Sequence, residues 1–292
     1  MHQPQDLRST REGLHCNAAS FHHSRFAHVI MSIGSFALPI PALIFMFGVT
    51  VVLTMGWLME KRHGSIEADV LMIVAAGLIA ARIAFAIRFL PQYRHDMIAV
   101  FDIRDLGFDP LTGVVAGALM TGWRLLRSGK TRVPLALALT TGVLAYGSAQ
   151  VLRNDAPAPS PIPAVVLQSL DGTSHLLNTE GLPTIVNLWA TWCPPCQAEL
   201  PAFERVQAEN PHVRFIFVNQ GEQADTVRRY LAGRSLHLSN VWLDPTSSLA
   251  ARIHAAGYPT TLFYDANGRL LETHLGPFST ATLHDALGRF YP

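Results

Sequence analysis

Two cysteines separated by two prolines, Cys193-Pro194-Pro195-Cys196, constrain this chain of 292 residues more than any other stretch. The apolar run 184–190 before them is typical of a buried strand, and the run from Gln197 to about Glu209 favours a helix. Free N–H groups and the positive dipole end at a helix start stabilise a thiolate on Cys193. Cys196 follows about one turn later and can resolve a mixed disulfide, so the pair is predicted to be a redox-active disulfide.

Half of a zinc site is the alternative interpretation of the two cysteines. Structural zinc needs two more ligands, and the sequence offers no second cysteine pair. The remaining cysteine, Cys16, has no apolar stretch before it that would favour lipidation. The spacing therefore favours thiol–disulfide exchange, and neither a metal nor a cofactor is expected.

Three separated motifs resemble the TlpA/ResA family of thioredoxin-like disulfide reductases, over about residues 164–292. They are the run 187–196, its continuation Glu199-Leu200-Pro201, and Gly257-Tyr258-Pro259-Thr260-Thr261. The order of predicted elements, β-α-β and then β-β-α, agrees with a thioredoxin-like α/β domain with helices on both faces of its sheet. The resemblance implies a reductase of protein disulfides, with cytochrome c maturation as one family role. An oxidase or isomerase of the same fold stays open, because the two prolines do not set the direction of exchange.

Two of these motifs supply further candidate residues. The resemblance implies that Glu199 lies near the buried Cys196 and tunes its proton transfer; the alternative is a solvated carboxylate that stabilises the helix dipole. A cis bond before Pro259 would bring the backbone of Tyr258 beside the cysteines, where it could pair with an extended substrate segment. The alternative for Pro259 is an ordinary loop proline.

Two other residues have open roles at this stage. Trp192, next to the nucleophile, is predicted to shield it and to contact substrate, or else to lie in the core. Glu222 falls where family members carry a similar stretch, and a helix-capping carboxylate explains it equally well.

The first half of the chain is far more apolar than the second. Residues 35–59 carry no charge, and these 25 residues exceed the ~20 needed to cross a bilayer. Further candidate spans cover residues 70–90, 111–126 and 133–152. We therefore predict an α-helical transmembrane bundle of about four spans in residues 35–152, followed by the α/β thioredoxin-like domain in residues 164–292.

Basic residues predict the orientation of this bundle. One group follows the first span and the other separates the third from the fourth: Lys61, Arg62, Arg124, Arg127, Lys130 and Arg132. The positive-inside rule places both groups in the cytoplasm, which leaves the thioredoxin-like domain in the periplasm, outside a bacterial inner membrane. Two-cysteine exchangers operate in such an oxidising compartment.

The sequence also limits the partners. Residues 31–192 contain no cysteine, so the bundle cannot relay thiol electrons, and reduction must come from a separate membrane electron donor of the DsbD/CcdA type. The expected partners are that donor, a protein disulfide substrate and the lipid bilayer. A net charge of +1 without a basic patch outside the membrane flanks predicts no nucleic acid partner.

Two segments are predicted to lack a packed core. Residues 1–34 form an N-terminal arm that is either disordered or untranslated, should translation begin at Met31. Residues 153–163 are rich in proline and predict a semi-rigid linker of ~25 Å. Such a spacer would hold the catalytic face off the membrane.

The membrane half resembles a truncated prolipoprotein diacylglyceryl transferase. The resemblance rests on Ile40-Pro41 and on residues 77–85, and residues 106–113 align where those enzymes carry a His-Gly-Gly-Leu signature. Asp109-Pro110 stands in place of that histidine. The alternative function is thus a lipid-binding or transferase-like membrane protein with an accessory redox domain. Arg82, inside a predicted span, is costly unless it pairs with a lipid headgroup or a polar neighbour.

Overall fold

The computed structural model describes residues 32–33, 36–37, 40–63, 66–94, 97–127, 131–153, 161–178 and 181–292. These residues form a helical unit (residues 40–153) and an α/β domain (residues 161–292), with a short antiparallel pair, β1 (Ser32–Ile33) and β2 (Phe36–Ala37), before them. Most of the predicted N-terminal arm, with Cys16, and most of the predicted linker lie outside the described residues.

Each predicted span corresponds to one helix of the helical unit. The four helices are α1 (Ile40–His63), α2 (Glu67–Arg88), α4 (Pro110–Arg127) and α5 (Arg132–Arg153), with a short α3 (Leu90–Tyr93) and two 3-10 turns, Met97–Phe101 and Ile103–Asp105, between α2 and α4. Among the described residues, α2 is the one helix whose length and apolar composition suffice to cross a membrane. A shorter apolar stretch, Leu43–Met59, lies within α1.

The four long helices pack as two pairs, α1 with α5 and α2 with α4, and the pairs contact each other much less. Glycines allow the close approach within each pair. A Cβ atom on Gly142 of α5 would lie 2.2 Å from Val52 Cγ2 and 3.2 Å from the Gly48 carbonyl oxygen of α1. In the second pair, a Cβ atom on Gly113 would lie 3.0 Å from Ala81 Cβ and 3.2 Å from the Gly77 carbonyl oxygen. Small residues let helix backbones approach closely and gain dispersion contacts.

Arg82 of α2 is buried and bound to protein groups. Its guanidinium donates to Asp105 Oδ1 at 3.0 Å and to the carbonyl oxygens of Val100 at 2.8 Å, Asp102 at 2.7 Å and Gly107 at 2.7 Å. Of the two partners predicted for this arginine, the structure therefore shows the polar neighbour. The interaction ties α2 to the segment that follows α3 and fixes the backbone of that segment.

The α/β domain contains one mixed sheet of seven strands in the order β4-β3-β7-β6-β5-β8-β9. The strands are β3 (Val166–Ser169), β4 (Ser174–Leu176), β5 (Thr184–Trp189), β6 (Arg214–Gln220), β7 (Val241–Asp244), β8 (Thr260–Tyr264) and β9 (Leu270–Leu275). Strands β5, β6 and β7 are parallel, and the remaining pairs are antiparallel. The central β5 is buried on both faces, as its apolar run predicts.

Helices cover both faces of this sheet. On one face, α6 (Pro194–Glu209), α7 (Ala224–Gly233) and α9 (Thr280–Phe290) pack on Ile185 and Trp189 of β5. On the other face, α8 (Ser248–Arg252) packs on Val186 and Leu188. Alternation along β5 therefore directs its odd-numbered residues toward α6, and Asn187 shares that face.

Three details refine the sequence-based expectations. The sequence predicts a helix over residues 247–256, and α8 is shorter, because His254 adopts a left-handed conformation with φ 51° that ends the helix. Residues 241–243 are predicted from the sequence as an edge or a parallel strand; β7 is parallel to β6 and lies inside the sheet, since β3 pairs with its outer side. Pro161 bridges to Arg269 and the Ile162 N–H donates to the Gly268 carbonyl at 2.8 Å, so the end of the predicted linker already contacts the domain.

Candidate active site

The turn between β5 and α6 carries the two cysteines. Cys193 is the N-cap of α6 in an extended conformation, and its Sγ accepts a hydrogen bond from the Cys196 N–H at 3.3 Å. Pro194 and Pro195 occupy the first helical positions, where a missing N–H costs nothing. The cysteines form a disulfide with 5.3 Å between their Cα atoms. The sulfur of Cys193 therefore lies at the positive end of α6, which stabilises it as a thiolate after reduction.

The cysteines differ in their access to solvent. Cys193 is 4% exposed and Cys196 is fully buried, so an external sulfur can approach only Cys193. Trp192 is 63% exposed, which excludes the core position considered for it from the sequence. Its ring contacts Tyr258 edge-on, with 6.1 Å between the ring centroids. The two aromatic side chains form an exposed apolar surface next to the disulfide.

The predicted cis-proline loop lies at this same end of the sheet. The Tyr258–Pro259 bond is cis, and β8 begins directly after it. Antiparallel pairing of β8 with β5 places Thr260 opposite Leu188, close to the turn that carries the cysteines. The sheet register thus brings Tyr258 and Pro259 beside the disulfide, as the motif predicts.

Glu199 is fully buried on α6, which excludes the solvated carboxylate considered for it. Its Oε1 accepts from Asn187 Nδ2 at 2.7 Å, and its Oε2 accepts from the Phe278 N–H at 3.0 Å. Burial raises the pKa of Glu199 to about 8, and the hydrogen bonds from Phe278 and Asn187 oppose that rise only in part. One helical turn separates the residue from Cys196, so both lie on one face of α6.

A second carboxylate holds the turn itself. Glu222 follows β6, and its Oε2 accepts from the Thr191 N–H at 2.7 Å and from Asn219 Nδ2 at 2.7 Å, while its Oε1 accepts from the Thr191 hydroxyl. The helix cap considered for Glu222 is wrong, since the N-cap of α7 is Gln223 and no side chain caps it. Glu222 instead fixes the residue that precedes Trp192.

The other side of the turn is held from α6. Gln197 Nε2 donates to the Thr191 carbonyl at 2.6 Å, and Gln197 Oε1 accepts from Arg234 at 3.1 Å. Both main-chain groups of Thr191 therefore have side-chain partners. We predicted neither Gln197 nor Glu222 as a member of the site. The one signal in the sequence was Asn187, a polar residue in an otherwise apolar buried strand. A buried polar side chain needs hydrogen-bond partners, so it indicates a polar network behind the cysteines.

The predicted site residues Trp192, Cys193, Cys196, Glu199, Tyr258 and Pro259 thus lie at one end of the sheet. An exposed apolar surface leads to the one accessible cysteine, and a buried acid of raised pKa lies behind its partner. Such an arrangement can exchange two electrons with a disulfide and can hold a proton close to the exchanging sulfurs.

Comparison with known proteins agrees with this chemistry. Residues 157–288 match the model of the Redoxin family. The thioredoxin-like protein YneN of Bacillus subtilis is 30% identical over 129 residues, which cover 43% of this chain and 75% of YneN. The sporulation thiol-disulfide oxidoreductase A of the same organism is 28% identical over 130 residues, covering 42% of this chain and 78% of the relative.

Among solved structures, this chain is similar to a thiol:disulfide interchange protein of the thioredoxin family from Chlorobium tepidum. It is 27% identical, with a TM-score of 0.41, and the match covers 46% of this chain and 97% of that one. The matches to the Redoxin model and to YneN show that the C-terminal half of this chain is a Redoxin domain, that is, a thioredoxin-like thiol–disulfide oxidoreductase domain.

Proposed function

We propose that the domain is a reductase of protein disulfides, anchored in a membrane and facing the extracytoplasmic side. The observation that carries the proposal is the asymmetry of the cysteine pair. Cys193 is reachable at the N-terminus of α6, whereas Cys196 is buried on the helix face that also carries the protonatable Glu199. This asymmetry suits a nucleophile in front of a resolving cysteine.

In the reaction, the reduced Cys193 thiolate attacks one sulfur of a substrate disulfide. The other substrate sulfur leaves as a thiolate and takes up a proton. Cys196 then loses its proton and attacks Cys193 Sγ, which releases the second substrate sulfur and forms the intramolecular disulfide. The substrate gains two electrons and two protons, and the cysteine pair is oxidised.

Glu199 is the proposed proton acceptor for Cys196. Burial raises its pKa to about 8, so the ionised form, the minor one at neutral pH, is a stronger base than an ordinary carboxylate and can take the proton of Cys196. Trp192, Tyr258 and Pro259 are the proposed substrate contacts. An extended segment of the substrate would pair with the backbone at Tyr258 and cover the exposed ring of Trp192.

A trapping experiment tests the roles of the two cysteines. Cys196→Ser should accumulate mixed disulfides with substrate proteins, because Cys193 can attack and nothing resolves the product. Cys193→Ser should accumulate none. Trapping by the second variant but not by the first would reverse the assignment.

The direction of exchange is tested separately, by the reduction potential of the full-length protein in detergent. A reductase should equilibrate at a potential near the ≈ −270 mV of thioredoxin, whereas an oxidase should lie near the ≈ −120 mV of DsbA. A value near the latter would replace the reductase with the oxidase alternative.

The helical unit is the proposed membrane anchor, with about four spans in a bacterial inner membrane. It contains no cysteine, so we propose that a separate membrane donor of the DsbD/CcdA type reduces the Cys193–Cys196 disulfide. A role in cytochrome c maturation rests on the family resemblance alone. Loss of c-type cytochromes on deletion of the gene, restored by the wild-type chain but not by Cys193→Ser, would support that role.

Transferase-like activity of the helical unit is the weaker candidate, because Arg82 is occupied by Asp105 and three carbonyl groups of the protein. A diacylglyceryl transferase assay, with and without the last 140 or so residues, distinguishes it from anchoring. Turnover by the shortened chain would establish a second function.

A further inference from the structure

The segment between β9 and α9 connects the active site to the helical unit. Its Gly276 N–H donates to the carbonyl of the cis-proline Pro259 at 3.0 Å, and its Phe278 N–H donates to Glu199. Ser279 then caps α9 through a capping box with Thr282. Residues 276–279 therefore belong to the active-site end of the domain.

The next residues of this segment contact the helical unit. Ala281, in the first turn of α9, is 1% exposed and forms one apolar cluster with Phe85 and Ala86 of α2 and Tyr93 of α3. The partly buried side chains of Phe89 and Val100 pack against the same cluster. The Tyr93 hydroxyl is buried near the Ser279 side chain. No hydrogen bond of normal geometry joins the two groups.

The helical side of this contact is held in place by the buried Arg82. Its bonds to Asp105 and to the Val100, Asp102 and Gly107 carbonyls fix the backbone of the segment that lies beside the cluster. A Cβ atom on Gly107 would lie 2.6 Å from Arg82 Nη1 and 2.6 Å from the Phe85 ring, so the packing leaves no room there for a side chain. The surface offered to α9 is therefore pre-formed.

We propose that this contact is an intramolecular docking surface, which holds the active-site end of the redox domain against the end of the helical unit formed by α2, α3 and residues 97–107. Docking of this kind does not depend on the redox chemistry of the cysteines. The docked arrangement places the catalytic face close to the helical unit, whereas the sequence analysis expects the linker to hold that face away from the membrane. Within the proposed topology, Cys193, the less buried of the two cysteines, meets its partners at the membrane surface. This position suits a partner that is embedded in the membrane and carries its cysteines at the same level.

A small contact is sufficient for docking because the two parts are tethered. A short tether that can span the two sites gives an effective concentration on the order of millimolar, so even a contact with a millimolar dissociation constant is occupied about half of the time. The apolar cluster, with four buried side chains, is adequate for an affinity of that size.

Engineered cysteine pairs test the docking directly. In full-length protein carrying Cys16→Ser, Cys193→Ser and Cys196→Ser, the pair Tyr93→Cys with Ser279→Cys should oxidise to a disulfide at least about tenfold faster than a control pair. The control combines Tyr93→Cys with Asp225→Cys, whose side chain is exposed on α7. A domain that swings freely would oxidise both pairs at similar rates, and that result would overturn the proposal.

A second measurement leaves the native cysteines in place. Amide hydrogen exchange of residues 276–283 should accelerate at least about fivefold in Tyr93→Asp, which places a charge in the apolar cluster, and should stay unchanged in Tyr93→Phe. Equal exchange in the two variants would overturn the docking surface, whatever the activity of either variant.

Discussion

The Glu199 carboxyl group receives two hydrogen bonds and has no contact with solvent. With a pKa raised to about 8 by burial, it is mostly protonated at neutral pH. Among the described residues, the Oδ1 atom of its neighbour Asn187 has no hydrogen-bond partner. Rotation of that amide would give a protonated Glu199 an acceptor, and a glutamine at position 199 would find the same one.

This raised pKa predicts how the stability of the domain depends on pH. The unfolded chain loses the Glu199 proton near 4.5 and the folded domain near 8, so the stability that this residue contributes is complete below about 4.5 and declines up to about 8. We expect the free energy of unfolding to fall by about 1–2 kcal/mol between pH 6.5 and 8. Denaturant unfolding at several pH values measures it, and Glu199→Gln should abolish the decline.

The lowered pKa of His274 predicts how the stability of the domain depends on pH below about 6.5. Burial lowers its pKa from 6.5 to about 4, so its contribution to stability is complete above 6.5 and is lost as the pH falls toward 4. Between about 4.5 and 6.5 the trends of His274 and Glu199 oppose each other, and wild-type stability should change little. Glu199→Gln should instead show a clear loss of stability on acidification through that range; a flat curve for the variant would contradict the assignment.

Because Glu222 fixes the turn that carries the cysteines, its loss should slow thiol–disulfide exchange. Glu222→Ala removes three hydrogen bonds from the turn at Thr191 and Asn219, and we expect about a tenfold slower reduction of a disulfide peptide, close to 1.4 kcal/mol in the barrier. Glu222→Gln should restore most of the rate, because one amide oxygen can accept from both nitrogen donors that now share Oε2. Wild-type kinetics in the alanine variant would leave Glu222 without a role in the turn.

The sequence predicted the site residues that belong to its recognisable motifs, including the separate pair Tyr258 and Pro259, and it missed Glu222, which acts across the fold outside those motifs. Cys193, Cys196 and Glu199 lie within seven residues, so helix geometry alone relates them. Glu222 bonds to a residue 31 positions earlier, and that proximity depends on the parallel register of β5 and β6. Such a register is a property of the assembled sheet, which local patterns do not contain.

At the scale of elements, glycines decide how the long helices pair. Apolar composition predicted the four helices, with ends that differ by at most five residues, since each segment needs only one apolar stretch of sufficient length. It could not predict that α1 pairs with α5 and α2 with α4, because a helix that is apolar on all sides gives no preference for one neighbour. The close approaches at Gly142 and Gly113 supply that preference.

A larger side chain at Gly142 of α5 should therefore destabilise the helical unit. Gly142→Leu would push into Val52 and the Gly48 carbonyl of α1, and we expect a loss of about 1–3 kcal/mol, seen as a lower melting temperature of the protein in detergent. Gly147→Leu, on the same helix, is the matched control, because nothing lies within 4 Å of a Cβ atom there. Similar melting temperatures for the two variants would argue against close packing of α1 on α5.

At the scale of the whole molecule, charge is distributed unevenly along the chain. The two basic groups lie at the same end of the helical unit, one in the last turn of α1 and the other from the last turns of α4 to the start of α5, and the redox domain follows the opposite end of α5. This arrangement favours one orientation in a membrane.

Reporter fusions test that orientation. A reporter that functions only in the periplasm should be active after Pro292, and one that functions only in the cytoplasm should be active near Gly129. The reverse pattern would place the cysteine pair in a reducing compartment and remove the basis for extracytoplasmic exchange.

The pairing of α1 with α5 has a consequence for biosynthesis. A ribosome adds about 5–20 residues per second, so roughly 5–20 s pass between completion of His63 and of Arg153. During that interval α1 has been made and its main packing partner has not. Because the linker follows α5 directly, the nascent chain closes its helical unit at the moment when the redox domain begins to emerge.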